Sequence, residues 1–171
     1  MFFDTVAFPW VIGEEGGYQN DPKDPGNWTG GEIGVGVCKG TKYGISAAAF
    51  PDLDIENLTV ASARPIAKNF YWDAFKGDAL PSSISLCVFD FGYNAGTHEA
   101  VKVLQRTLGI TQDGVCGPAT QSACRANDAH EIVRAYFNAR IHAYEMMGGW
   151  ARFGRDWEDR ARATMTKALE Y

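Results

Sequence analysis

Phe3, Val6, Ala7, Trp10 and Val11 recur at i, i+3, i+4, i+7 and i+8, the spacing of one helical face, and predict a first helix over residues 3–15. Pro9 lies inside it. Proline lacks the amide hydrogen that a helix interior uses, so the helix either starts close to Pro9 or bends there. Gly16 and Gly17 end it, because glycine readily takes the left-handed conformation of a helix terminus. From Asn20 to Ser46 the pattern changes to turn signals, Asp21-Pro22, Asp24-Pro25-Gly26 and Gly30-Gly31, followed by Ile33, Val35 and Val37 alternating with glycines. These predict a small Gly-rich β-hairpin at about 20–46. Helical spacing returns over 59–76, 82–95, 97–108, 117–126, 128–147 and 149–170, with Asp128 and Glu131 placed as a capping box. The expected class is α+β, mainly α, with the strands segregated from the helices.

A chain of 171 residues is long enough for one domain with a substantial core. No apolar run reaches the ~18 residues of a membrane span, and Met1–Trp10 has no basic segment and contains Asp4. No membrane insertion and no signal peptide are therefore expected, with synthesis in the cytoplasm. Cys38, Cys87, Cys116 and Cys124 form no C-x-x-C pair, so free thiols are expected, with a Cys116–Cys124 bridge left open. His98, His130 and His142 have no metal-ligand spacing, so no metal or cofactor is expected.

Charge is uneven along the chain. Residues 1–100 hold 6 Lys/Arg against 13 Asp/Glu, a balance of 6 − 13 = −7, and residues 101–171 hold 10 against 8, a balance of +2. An acidic first half argues against nucleic acid, whose phosphates need a concentrated basic face. The Gly-rich insert ends in Gly40-Thr41-Lys42 but lacks the spacing of a phosphate loop.

The segment that points to chemistry is Glu14-Glu15-Gly16-Gly17-Tyr18-Gln19-Asn20-Asp21-Pro22-Lys23-Asp24-Pro25-Gly26, continued after the insert by Thr41-Lys42-Tyr43-Gly44-Ile45-Ser46. A carboxylate at the end of an apolar helix, with glycines keeping its surroundings open, is suited to general-acid work. Burial against apolar neighbours would keep it protonated and able to donate to a leaving oxygen. A second carboxylate nine residues on, in a turn, would stay ionised and orient a water. Taken alone, a Glu before Gly is ordinarily an exposed helix end. On an ideal helix phased by Phe3, Ala7 and Trp10, Glu14 continues the core face and Glu15 falls at its side, where a cleft residue belongs.

The string E-G-G-Y-x-N-D-P-x-D-P-G followed by T-x-Y-G-I-S resembles the signature of glycoside hydrolase family 108, peptidoglycan-cleaving enzymes of the lysozyme superfamily found as phage endolysins. The resemblance implies a lysozyme-like fold, with Glu15 as catalytic acid, Asp24 as the second carboxylate, and Thr41 as the residue that holds the hydrolytic water. The family motif usually runs uninterrupted. Here Asn27 stands in place of its second Gly, residues 30–41 intervene, and Thr29 also matches when the motif is read forward from Asp24. The Tyr-Gly-Ile context favours Thr41. Trp28 and Tyr43 are placed to stack on sugars, with core packing the alternative for both.

Three further stretches extend the resemblance over roughly residues 8–165. Val103-Leu104-Gln105-Arg106-Thr107-Leu108-Gly109 through Asp113-Gly114-Val115-Cys116-Gly117-Pro118-Ala119-Thr120 is similar to the L-Q-x-x-L-G…D-G-x-x-G-P-x-T pattern of peptidoglycan-binding segments. Phe89-Asp90-Phe91-Gly92-Tyr93-Asn94-Ala95-Gly96 resembles a D-x-x-x-N-x-G helix end, from which Asp90, Tyr93 and Asn94 either reach saccharide or brace the helix end. Gly148-Gly149-Trp150 and Phe153 to Arg160 are similar to an F-x-x-G-W-x-x-R closing element, with Asp156 in the place of Gly and with Trp157 and Arg160 expected to pack against the catalytic helix.

The resemblance implies a catalytic region over 1–95 and a peptidoglycan-binding-like region over 96–171, packed into one domain. It implies a monomeric muramidase that hydrolyses the β-1,4 bond between N-acetylmuramic acid and N-acetylglucosamine, causes host-cell lysis, and reaches the wall through a separate holin-type agent. Carboxylates ~6.5–9.5 Å apart would invert the anomeric centre, and ~5–5.5 Å apart would retain it. The alternatives are a lytic transglycosylase using the same Glu and a non-catalytic module for wall binding or assisted secretion.

Overall fold

Pro9 shapes the start of the chain. In the computed structural model, residues Phe3–Ala7 wind as a π turn and helix α1, Phe8–Glu14, follows directly. Pro9 is then the second residue of α1, within the first turn, where a missing N–H costs least. The structure describes residues 1–148 and 150–171 and, of Glu14 and Arg152, the backbone alone. The Glu14 side chain, expected on the core face, and Gly149 lie outside the described residues. The chain divides into two units, one of Phe8–Ala67 and one of Met1–Ala7 with Lys68–Tyr171. The 95/96 divide expected from the sequence falls inside the second of these.

The smaller unit holds the strands, β1 (Thr41–Lys42) and β2 (Ile45–Ser46), paired antiparallel with Thr41 opposite Ser46 and Lys42 opposite Ile45. Their two-residue connection is Tyr43-Gly44, with φ of 53° and 73°. Two left-handed residues give the turn whose twist matches antiparallel strands. The strand expected over Ile33, Val35 and Val37 does not form: Ile33 lies in a turn, Val35 in a bend and Val37 in no regular element. Gly31, Gly34 and Gly36 all take positive φ, which breaks the extended run that the alternating β-branched residues suggested. The loop is closed instead by Thr29 N–H to Val37 O (3.0 Å) and Gly30 N–H to Val35 O (3.1 Å), and its apolar side chains face solvent, Ile33 at 60% exposure. Helix α2, Val60–Ala67, packs on α1, where the Arg64 guanidinium lies 5.0 Å from the centre of the Phe8 ring.

The larger unit is built around α3, Ser82–Ala95, whose residues from Ser83 to Tyr93 are all buried. Ile84, Leu86, Val88, Phe89 and Phe91 make it apolar on every face, the composition of a helix enclosed by others. It is surrounded by α4 (Thr97–Thr107), α6 (Ala129–Glu145) and α7 (Trp150–Ala168). Helix α5, Pro118–Ala126, packs on α6 and opens with proline at its first position. The expected cap of α6 forms, with the Asp128 side chain accepting from Glu131 N–H at 2.9 Å. The 59–76 helix is shorter than expected. Beyond α2 its register shifts into a second π turn, Lys68–Trp72, whose Trp72 packs against Phe3, Phe75 and Phe89.

Candidate active site

Glu15 follows directly on α1, its N–H bonded to Val11 O at 3.2 Å, and is half-buried. A Cβ added to Gly16 or Gly17 would meet nothing within 4 Å.

Asp24 and Thr41, 17 residues apart in sequence, are joined by two side-chain amides that the sequence reading did not single out. Asp24 caps the short 3-10 turn Pro25–Asn27, its Oδ1 accepting from Gly26 N–H at 2.9 Å. Its Oδ2 accepts from Gln19 Nε2 at 3.1 Å. Gln19 and Asn27 form a reciprocal amide pair at 2.8 and 3.1 Å, and Thr41 Oγ1 donates to Asn27 Oδ1 at 2.8 Å. Asn27 is fully buried and its Nδ2 also donates to Asp21 O at 2.9 Å, so both ends of its amide are satisfied. Gln19 and Thr41 further exchange backbone bonds of 2.9 and 2.8 Å. The Thr41 hydroxyl thereby spends its one proton on Asn27 and keeps its lone pairs for an incoming donor. Thr29, the competing threonine, is used elsewhere, its Oγ1 accepting from Val37 N–H at 3.0 Å inside the insert. The signal for Gln19 and Asn27 was present as two amides eight residues apart in a turn-rich stretch without apolar residues. Asn27 reads as a mere departure from the family motif until its partners are seen.

Gly40 holds this pairing together. At φ +83°, an added Cβ would stand 2.4 Å from Gln19 O and 2.6 Å from the Tyr18 ring. Gly40→Ala is therefore expected to destabilise the fold by about 2 kcal/mol or more. Thermal denaturation with an unchanged midpoint would contradict this.

The other sequence candidates separate. Tyr43 is half-buried in the hairpin turn, with the Lys42 ammonium 5.6 Å from its ring centre. Trp28 is also half-buried, and its Nε1 donates to Pro22 O at 2.9 Å. In the larger unit, Asp90 is wholly buried. Arg140 Nη1 lies 2.7 Å from its Oδ2, and Arg160 Nε and Nη2 each lie 3.0 Å from its Oδ1. Burial alone would push this carboxyl up, but the two guanidiniums outweigh it and hold Asp90 below the ordinary carboxylate value. Of the two readings open for Asp90, these contacts are those of a brace and not of a saccharide ligand. Tyr93 is buried as well, packed on Tyr71 and Phe89. Asn94 alone of the three is exposed, its Oδ1 accepting from Tyr144 OH at 3.2 Å. That hydroxyl accepts from Arg140, so one polar chain runs from Asp90 to the surface. Arg160 acts on α3, and Trp157 stacks on Tyr144 of α6 at 5.1 Å. Arg140 also escaped the sequence reading. Its place in the apolar stripe of α6, between Tyr136 and Tyr144, is the mark of a cation with a buried partner.

The 103–120 motif is spent internally. Gln105 is buried, and its Nε2, with two hydrogens to give, lies within hydrogen-bond reach of Asp113 Oδ1 (2.6 Å), Val115 O (3.1 Å) and Thr120 Oγ1 (3.1 Å), while its Oε1 accepts from Gly114 N–H (2.8 Å). Gln105 staples the turn between α4 and α5, and Asp113-Gly114 supplies that turn as expected.

The family model of glycosyl hydrolase 108 matches residues 8–96. The chain belongs to glycosyl hydrolase family 108. A second model, described as a predicted peptidoglycan domain, matches residues 99–160 of this family 108 chain. Among solved structures, SagA from Brucella abortus is similar at 32% identity, covering 99% of this chain and 94% of that one with a TM-score of 0.83. No curated protein matches significantly. The family 108 chain is a glycoside hydrolase that cleaves peptidoglycan, with the mainly helical, lysozyme-like α+β fold expected from the sequence.

Proposed function

We propose that the enzyme is a muramidase that hydrolyses the β-1,4 bond between N-acetylmuramic acid and N-acetylglucosamine, with Glu15 as general acid. The observation that carries this reading is the amide-linked pair of Asp24 and Thr41. Glu15 gives its proton to the leaving glycosidic oxygen as the bond to the anomeric carbon breaks. Thr41 and the Asp24 carboxylate, both left as acceptors, hold the two hydrogens of a water and turn its oxygen lone pair to that carbon. The water's proton passes to Asp24 as the new C–O bond forms. Tyr43, two residues beyond Thr41 in the same hairpin, supplies a ring for a sugar face. In the larger unit, exposed Asn94 offers an amide to peptidoglycan.

A transglycosylase would need Glu15 but no device for holding water, and the Asp24–Thr41 arrangement favours hydrolysis over it. We assign the enzyme to phage-driven lysis of a bacterial host as a monomer, made in the cytoplasm and passed to the wall by a separate holin-type agent. Among the described residues no helix is long and apolar enough to cross a membrane, which accords with the need for such an agent. Mass spectrometry of digested wall tests the reaction. Reducing muramic ends are expected, and 1,6-anhydro ends would overturn hydrolysis.

A further inference from the structure

A cavity of about 370 Å³ lies in the smaller unit, within the size range of small-ligand sites. Tyr18 and Asn20 form one wall, Lys39 a second, and Asp52, Asp54 and Glu56 a third. Tyr18 and Asn20 flank Gln19, and Lys39 lies two residues before its backbone partner Thr41, so the cavity adjoins the network that holds Asp24 and Thr41. The polar groups are those that bind sugar hydroxyls, and Tyr18 is 37% exposed, leaving an aromatic face for a pyranose ring.

Its lining holds three carboxylates against one ammonium, an acidic balance. The Lys39 ammonium is turned to Pro51 O at 2.6 Å, and neighbouring Lys42 to Glu56 O at 2.7 Å, so both cations point at backbone. Asp54 accepts from Asn57 Nδ2 at 2.9 Å, while Asp52 and Glu56 present exposed carboxylates. Such a lining repels the lactyl carboxylate of muramic acid. It accepts a neutral N-acetylglucosamine and attracts a glucosamine whose amine is free and protonated.

We propose that this cavity is a glycan subsite that selects N-deacetylated, cationic glucosamine over its N-acetylated form. The proposal rests on the glycosidase reading above, since a subsite beside Thr41 has meaning only if the strand is cut there.

The test measures binding of fully deacetylated and fully acetylated glucosamine tetramers to the Glu15→Gln protein by calorimetry at low salt, so that cleavage is slow on the timescale of the titration. About five-fold tighter binding of the deacetylated tetramer is expected from two partly exposed ion pairs. Asp52→Asn with Glu56→Gln should abolish the ratio, whereas Tyr18→Ala should weaken both tetramers and leave the ratio in place. Circular dichroism verifies that each variant is folded. Equal affinities, no binding of either tetramer, or a ratio that survives the double substitution would overturn the proposal. Failure of the glycosidase reading is seen separately, as wall digested by the wild-type protein that carries no newly cut glycosidic ends.

Discussion

Glu15→Gln is expected to lower the rate of wall cleavage by about 10²- to 10⁴-fold, the usual contribution of a positioned general acid. Glutamine keeps the shape of the side chain and removes only the proton it would deliver, so the leaving oxygen departs as an anion. The residue is half-buried just beyond α1 and glutamine matches it in size and shape, so the fold should tolerate the change. Turbidity of a wall suspension measures the rate, and a thermal scan of the same sample verifies folding. A folded variant that clears walls as fast as wild type would remove Glu15 from the mechanism.

Asp90→Asn is expected to cost about 3–5 kcal/mol of stability, because it leaves Arg140 and Arg160 without their buried counter-charge. That is a large part of the ~5–15 kcal/mol that holds a domain together. The dependence on pH has a definite sign. Since the folded carboxyl titrates below its ordinary value, its contribution is present above the carboxylate range and is lost as pH falls through the folded value. Urea denaturation at neutral pH reads the first effect. A midpoint equal to that of wild type would show that the core tolerates two unpaired guanidiniums. The acid limb of the stability curve reads the second, and should flatten in the variant.

The helices were legible because their signals are local. The apolar spacing of residues 82–95 and the Asp128 cap specify α3 and the start of α6 wherever the rest of the chain lies. The insert was misread for a converse reason: Ile33, Val35 and Val37 satisfy a strand pattern, but glycines at positive φ override side-chain propensity. At the candidate site, Asp24 and Thr41 were legible from a motif. Gln19 and Asn27 were not, because a side-chain amide carries no periodicity and its value depends on partners brought together by a loop. For Asp90 the choice between saccharide contact and helix brace was not legible, because Arg140 and Arg160 approach it from helices 50 and 70 residues downstream.

The four thiols have a practical consequence. All are free, and burial pushes Cys87 and Cys124 up to about 12 and raises Cys116, so these three hold almost no thiolate at neutral pH. Cys38 is half-buried, lines the cavity, and sits 3.4 Å from Asn20 Oδ1. A maleimide fluorophore added to the unmodified protein would therefore attach at one position and report occupancy at the mouth of the cavity, with no cysteine removed beforehand.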